Sequence, residues 1–342
     1  MYGRQMMNDK TLPKKRTHTI SQISKRYMME IILLVLVIVL IVTAPGFFTL
    51  GNILNIFRNV AITGVISFAM TMVIIGGEID LSVGSSIALS AVITATVTGK
   101  LAATGKMSMD SAVWIGMLTA LVTGAVIGLI NGLVRTRYNI PSFIATLAML
   151  NILYGVSAII SKGFPVTTLP AWYNWIGAGR FFNLIPVPAL WLAIAFVIVF
   201  IIMNKTTFGR EIYAVGGNPE AARLSGINVN FVKIIILVIV QVLAAFSGII
   251  LSAQVMSGSS TFGRGYEMDV IAAVIIGGTS LSGGIGKAWG TLVGIIFMGV
   301  INNGMTLFGV GDFEKYVVRG LLILGAVLLN TIQLQSLQKA KN

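Results

Sequence analysis

The stretch from Phe231 to Leu251, FVKIIILVIVQVLAAFSGIIL, decides the fold, because Lys233 is its only charged residue. About 20 predominantly apolar residues are enough to cross the hydrocarbon core of a bilayer as an α-helix. The apolar side chains occupy consecutive positions here, whereas a strand of a membrane barrel alternates apolar and polar residues. The stretch therefore predicts a membrane-spanning helix.

Nine further apolar blocks accompany it, and the composition of the chain agrees with them. Of the 342 residues, 56% are hydrophobic and 10% are charged, whereas about a quarter are charged in soluble proteins. We predict an all-α, polytopic membrane protein with about ten transmembrane helices in residues 28–335, which leaves too little chain for a soluble enzyme domain. The other blocks are Met28 to Ala44, Val60 to Gly77, Val83 to Gly99, Ala112 to Val134, Ser142 to Ser161, Pro186 to Met203, Met268 to Leu281, Ala288 to Gly309 and Tyr316 to Ile332. Because Met268 to Leu281 is short for a span, a re-entrant or broken helix is the alternative there.

The distribution of basic residues predicts the orientation of these helices. The 24 Lys and Arg residues are scattered between apolar blocks, which argues against a nucleic-acid surface. With residues 1–27 placed in the cytoplasm as a basic tail, about two thirds of them fall on the cytoplasmic side, in agreement with the positive-inside rule. We therefore expect both termini in the cytoplasm, with residues 336–342 as a second short tail.

The long cytoplasmic loop of residues 204–230 contains the local signals of a short helix. Asn218 is a favoured N-cap residue, Pro219 suits the first helical position, and Gly226 suits the C-terminal end. Glu220, Ala221 and Ala222 are good helix formers. A helix this short does not persist in water without a contact that stabilises it. It predicts a docking site for a partner protein, and the alternative is a helix folded back on the membrane surface.

Little in the sequence points to an enzyme. There is no cysteine, and His18 lies alone in the basic tail, where we expect it to be solvated. The glycine-rich stretch from Gly277 to Lys287 lacks the Ser or Thr that follows the lysine of a phosphate-binding loop, so we expect a broken helix end or tight packing there. We predict no catalytic residue, no metal site and no cofactor bound by this chain.

Polar residues inside or beside the apolar blocks are candidates for a transport path or gate. Ionisable groups near hydrocarbon depth face the interior of a bundle or water, and buried amides need hydrogen-bond partners. The candidates are Glu78, Asp80, Ser82, Glu267, Asp269, Asn302 and Asn303. The alternative for the first three is a short inside loop in which Asp80 or Ser82 caps the helix that begins near Val83, and for the next two acids it is capping of the eighth block. For the asparagines, the alternative is an interhelical hydrogen bond.

Several motifs resemble those of one permease family. Glu220-Ala221-Ala222 followed by Gly226 is similar to the signature by which permeases of ATP-binding-cassette (ABC) importers engage their ATPases. The wider pattern resembles the permeases of the simple-sugar importers for ribose, xylose and arabinose. It comprises Thr207 to Arg210, Ala214 to Asn218, Ser225 to Ile227, Gly77 to Gly84, Pro141 to Leu147, and Glu267 to Ala273 running into Gly277 to Leu281.

The resemblance implies the ten-helix ABC importer permease fold, in the bacterial cytoplasmic (inner) membrane. It implies a dimer with a second permease copy or a paralogue, a cytoplasmic ABC ATPase that binds the ATP, and a periplasmic or extracellular sugar-binding protein. The expected function is translocation of a pentose- or hexose-like sugar. Nucleosides or a furanosyl signalling molecule are alternative substrates, and a proton-coupled secondary transporter using Glu78, Asp80 or Arg319 is an alternative mechanism.

Overall fold

The structure, a computed structural model, describes residues 27–339, and nearly all of its regular elements are helices. In chain order these are α1 (Met28–Thr43), α2 (Leu50–Ile75), α3 (Val83–Ala103), α4 (Met109–Tyr138), α5 (Ser142–Ser161), a 3-10 turn (Ala171–Tyr173), α6 (Asn174–Ala178), β1 (Arg180–Phe181), β2 (Ile185–Pro186), α7 (Val187–Lys205), α8 (Thr207–Gly217), α9 (Pro219–Leu224), α10 (Val229–Val255), α11 (Tyr266–Ile276), α12 (Ala288–Leu307) and α13 (Asp312–Lys339). The two strands form one short antiparallel hairpin. The all-α prediction is confirmed.

Each predicted apolar block coincides with a helix, but the lengths differ. Within residues 27–339, seven helices are long and apolar enough to cross a membrane, namely α2, α3, α4, α5, α7, α10 and α12. Of the remaining three blocks, α1 has 16 residues and α11 has 11, which are short for a span. The number of ten spanning helices therefore stays a prediction.

Helix α2 lies at the centre of the core and starts earlier than the sequence suggested. The predicted block began at Val60, whereas α2 begins at Leu50, where the Thr49 side chain accepts a hydrogen bond from the Asn52 amide. Polar residues in the first turns, such as Asn55 and Asn59, hid this part of the helix from a hydropathy reading. Their positions matter for the cavity described below.

The pairing of α4 with α10 depends on small residues. Gly124, Gly128 and Gly132 recur every four residues on α4, which places them on one face of the helix. A Cβ atom added at Gly128 would be 2.5 Å from the Cα atom of Val238 and 2.6 Å from the carbonyl oxygen of Leu237 on α10. These glycines form a groove on α4, and α10 is the helix that occupies it.

The eighth block crosses the molecule without being one continuous helix. The predicted Met268 to Leu281 span is replaced by α11, of about 16 Å, between an irregular segment at 256–265 and a loop at 277–287. The chain leaves the end of α10 and returns to α8, where Gly284 lies against Gly217. The short helix agrees with the alternative of a re-entrant or broken helix, and whether this block spans the membrane stays a prediction.

The expected tails fall mostly beyond the described part of the chain. Residues 1–26 of the predicted basic tail and residues 340–342 of the second tail lie outside the described residues. Residues 336–339 belong to α13, which continues to Lys339.

Candidate functional site

The segment of residues 76–82 interrupts the helices between α2 and α3 and extends deep between their neighbours. Near its start Glu78 contacts Lys233 on α10, and further along Asp80 contacts Gln241 on the same helix. Lys233 and Gln241 are two helical turns apart, which corresponds to about 12 Å along the helix axis. The segment therefore rises through the bundle interior, where irregular backbone needs protein partners.

Side chains from the start of α5 supply those partners. The amide of Ile79 donates to Ser142 Oγ, and the amide of Leu81 donates to Thr146 Oγ1, each at 3.0 Å. Both hydroxyl-bearing residues are buried. These two bonds attach the irregular segment to α5.

Glu78 is the anchor of a buried ion cluster. Its carboxylate accepts bonds from Arg135 Nε at 2.9 Å and lies 2.7 Å from Lys233 Nζ, while the residue is 2% exposed. A buried carboxylate needs such partners because its desolvation is costly. Glu78 thereby joins the 76–82 segment to α4 and α10.

Asp80 forms a second, separate network. Its Oδ1 accepts bonds from the amide and hydroxyl of Ser82 at 2.8 and 2.6 Å, and its Oδ2 accepts one from Gln241 Nε2 at 2.7 Å. Asn131 donates to Ser82 Oγ at 3.2 Å, and Ser86 bonds to the Gln241 carbonyl. Ser82 is the residue before α3, but its side chain makes no capping bond. The capping interpretation is therefore wrong for Ser82.

Asn131 and Gln241 were not among the predicted site residues. Each is a lone amide within an otherwise apolar block, the same signal that singled out Asn302 and Asn303. Both are buried. The sequence therefore contained the signal for both residues, but it could not show which side chains Asn131 and Gln241 bind.

A second irregular segment, residues 256–265, approaches the first from the opposite end of the molecule. It follows α3 closely, so that a Cβ added at Gly258 would be 2.8 Å from the Ala91 carbonyl carbon and one at Gly84 would be 2.5 Å from the Gly263 oxygen. Glu267, in the first turn of α11, also contacts Gly84. The two broken stretches therefore meet at the start of α3.

A polar cavity of about 230 Å³ opens between α2, α11, α12 and α13. Asp269 on α11 and Arg319 on α13 form an ion pair across it, with Oδ1 and Nε 2.7 Å apart. Its other polar side chains are amides and hydroxyls, contributed by Asn55, Asn59, Thr63, Tyr266, Asn302, Asn303 and Thr306. The charges in the cavity are thus balanced, and neutral hydrogen-bonding groups cover much of its wall.

The predicted path residues therefore separate into three places. Asp269, Asn302 and Asn303 share the cavity, Glu267 lies where the broken segments meet, and the residues from Glu78 to Ser82 belong to the two buried networks. Among residues 27–339, no group of three His, Cys, Asp or Glu side chains is arranged as metal ligands would be.

The short helix predicted at Asn218 to Gly226 is present as α9. Asn218 Oδ1 accepts bonds from the amides of Glu220 and Ala221 at 3.1 and 3.0 Å, Pro219 opens the helix, and Gly226 follows with a φ of +86°. Such a positive φ is readily adopted by glycine.

The two alanines of α9 differ in exposure. Ala222 is buried in the hydrophobic core, whereas Ala221 is exposed. Leu224 is 76% exposed, so α9 presents an apolar side chain outside the bundle. Arg223 forms an ion pair with Glu220 at 2.6 Å, and its hydrogen bond lowers the pKa of the Glu220 carboxyl.

Comparison with known proteins gives consistent matches over most of the chain. The family described as "Branched-chain amino acid transport system / permease component" matches residues 52–327. The ribose import permease protein RbsC of Bacillus subtilis (strain 168) is 44% identical over 299 residues, covering 87% of this chain and 90% of that protein. RbsC of Escherichia coli (strain K12) is 38% identical over 315 residues, covering 90% of this chain and 95% of that protein.

A third relative is named for a different sugar. The L-arabinose transport system permease protein AraH of Escherichia coli (strain K12) is 37% identical over 328 residues, covering 96% of this chain and 95% of that protein. No solved structure matches the chain significantly.

Proposed function

This chain belongs to the permease-component family of branched-chain amino acid transport systems, and we propose that it is the membrane-spanning permease of an ATP-driven importer for a simple sugar. The observation that carries the proposal is 44% identity to a ribose import permease over nearly the full length of both proteins. Identity to an arabinose permease extends over an even larger share of the chain. The chain is accordingly a transport component, and we expect ATP to be hydrolysed on a partner.

The chemistry of the cavity supports a neutral, hydroxylated substrate. The two charged side chains that line the cavity, Asp269 and Arg319, are bound to each other, which favours a neutral substrate over a zwitterionic amino acid. Amide and hydroxyl groups such as those of Asn55, Asn59 and Asn302 both donate and accept, which matches the hydroxyls of a sugar. The volume of about 230 Å³ is below the roughly 300–1,000 Å³ of pockets for drug-sized ligands, in line with a small solute.

The two meeting segments suggest where the path is closed. In many transporters, discontinuous helices meet near the bilayer midplane at the substrate site. Here the cavity adjoins α11, and the contact between Gly84 and Gly263 lies beside its first turn. We infer that a sugar entering the cavity passes inward when these two segments separate.

The orientation and the partners follow from the loop at 204–230. We infer that α9 lies on the cytoplasmic side and binds an ABC ATPase, because its apolar Ala221 and Leu224 side chains are exposed. We infer further that both termini lie in the cytoplasm and that the membrane is a bacterial inner membrane. An external sugar-binding protein and a second permease subunit would complete the importer.

A substitution on α9 tests this proposal. The chain is reconstituted in lipid vesicles with its ATPase and binding protein, and uptake of labelled ribose is measured. Ala221→Arg places a long cation on the exposed face, so we expect the ATPase to stop co-purifying and uptake to disappear. Ala103→Arg, at an exposed alanine at the far end of α3, is the matched control and retains both activities.

The wild-type vesicles provide the decisive contrast between mechanisms. Uptake that needs ATP and all partners, and that persists with an ionophore present, supports the importer. Uptake by the chain alone, driven by a proton gradient, would contradict it. Retention of the ATPase by Ala221→Arg would show that α9 is not the docking site.

A further inference from the structure

Backbone from three parts of the chain meets close to α9, the proposed docking helix. They are Ile75 at the end of α2, Gly216 near the end of α8, and Gly284 in the 277–287 loop. The Gly284 amide donates to the Ile75 carbonyl at 2.8 Å. A Cβ added at Gly216 would overlap that same carbonyl oxygen and lie 2.8 Å from the Gly284 nitrogen. We call these three residues the backbone joint.

A second contact reinforces the joint one turn away. The hydroxyl of Tyr213 on α8 donates to the Gly286 carbonyl at 2.9 Å. Tyr213 and Gly216 are three residues apart, which places them on the same face of α8. Helix α8 is therefore attached at two points to the 277–287 loop, and at one of them also to α2.

The loop at 277–287 connects the joint firmly to two helices. A Cβ added at Gly277, directly after α11, would be 2.5 Å from the carbonyl carbon of Gly290 in the first turn of α12. One at Gly294 would be 3.0 Å from the Gly277 nitrogen. The end of α11 and the start of α12 are thus in backbone contact and are expected to move together, because close-packed backbone has no room to slide.

The helices attached to the joint are those that enclose the polar cavity. Asn55 and Asn59 lie on α2, Asp269 on α11 and Asn302 on α12, and all four residues line the cavity. A displacement of α8 would therefore be transmitted to α2 and, through the 277–287 loop, to α11 and α12, which form the walls of the cavity. Helix α13, with Arg319, supplies the remaining wall.

We propose that, when an ATPase is bound at α9, movement of α8 and α9 is transmitted to the membrane-spanning helices through the backbone joint. Gly216 is the positioning residue of this joint. The inference rests on the proposed docking of an ATPase at α9. Gly216 acts by having no side chain, which lets α8 rest directly on the carbonyl of Ile75. A larger residue separates α8 from α2 and the 277–287 loop, and binding of the ATPase is then no longer linked to the cavity.

The adjacent glycine offers a matched control. Gly217 belongs to the same helix, yet a Cβ added there would have nothing within 4 Å. Gly216→Ala and Gly217→Ala are reconstituted with the ATPase and the sugar-binding protein, and three quantities are measured: ATPase co-purification, ATP hydrolysis, and uptake of labelled ribose.

For Gly216→Ala we expect the ATPase to co-purify and hydrolyse ATP, while ribose uptake per ATP falls about tenfold, the upper range for substitutions along a coupling network. Gly217→Ala should equal the wild type in all three. Tyr213→Phe removes only one hydroxyl bond, so it should lower uptake per ATP in the same direction by a smaller factor.

Other outcomes overturn the inference. An unchanged ratio of uptake to hydrolysis in Gly216→Ala would show that the joint has only a structural role, whether both rates are normal or both are reduced. Loss of ATPase binding in Gly216→Ala alone would show that the joint supports the dock itself. Failure of the wild-type chain to bind the ATPase would instead refute the proposed function.

Discussion

At the scale of single residues, Asn302 and Asn303 show how adjacent identical side chains differ in role. Asn303 and Asn52 exchange two amide hydrogen bonds, at 2.9 and 2.7 Å, and so connect α12 to α2. Both asparagines line the polar cavity, but Asn303 also forms this bond to α2. The two alternatives considered for this pair, an interhelical bond and a polar pathway surface, therefore each have a structural counterpart.

Substitution of the two asparagines should separate stability from transport. Asn303→Leu leaves the Asn52 amide with only the Phe47 carbonyl as a partner, and losing a hydrogen bond of this kind costs about 1 kcal/mol. We expect the melting temperature of purified Asn303→Leu to fall, whereas Asn302→Leu should keep its melting temperature and transport less ribose. Equal melting temperatures for the two variants would contradict the assignment of Asn303 to interhelical bonding.

At the scale of elements, the contact between α4 and α10 positions the side chains of the two buried networks, around Glu78 and Asp80. Arg135 and Asn131 reach Glu78 and Ser82 from α4, and Lys233 and Gln241 approach from α10. These side chains can contact their partners only because the α4 glycines allow a short distance between α4 and α10. A change in that distance would separate the partners of both networks at once.

Two alanine substitutions test the importance of this contact. Gly128→Ala adds a methyl group against the backbone of Val238, and such overpacking costs about 1–3 kcal/mol. Gly155→Ala on α5 meets nothing within 4 Å, and replacing a mid-helix glycine by alanine gains about 0.5–1 kcal/mol. Thermal unfolding in detergent should therefore give opposite signs for the two variants, and a stabilised Gly128→Ala protein would show that α10 can move away freely.

At the scale of the whole molecule, the broken eighth block determines on which side the C-terminus lies. If residues 268–281 failed to cross the membrane, the C-terminus would lie on the side opposite the loop of residues 204–230. In the structure the irregular 256–265 segment and α11 together lead the chain from the end of α10 back to α8, where Gly284 lies next to Gly217. The chain then passes along α12 and α13 to its end.

Reporter fusions measure this topology directly. A reporter after Lys341 and one inserted within residues 204–230 should both respond as cytoplasmic, because an even number of crossings separates them. A reporter inserted at residues 104–108, between α3 and α4, serves as the external control. A C-terminal reporter on the external side would show that residues 256–276 do not traverse the membrane.

The sequence by itself determined the features that depend on local chemistry. Runs of apolar residues predict helices, and α9 follows from the cap Asn218, from Pro219 and from Gly226, because these signals act within a few residues. The motif resemblance identified the permease family, and the match over residues 52–327 confirms it.

Only the tertiary structure decided how the polar residues of the interior are paired. Asp80 and Gln241 are 161 residues apart in sequence, and Asn52 and Asn303 are 251 apart. An acid beside a helix start has the same local pattern whether it caps that helix or binds a distant amide. Helix packing determines the hydrogen-bond partner, because a buried polar group can bond only to groups that the neighbouring helices bring within hydrogen-bond distance.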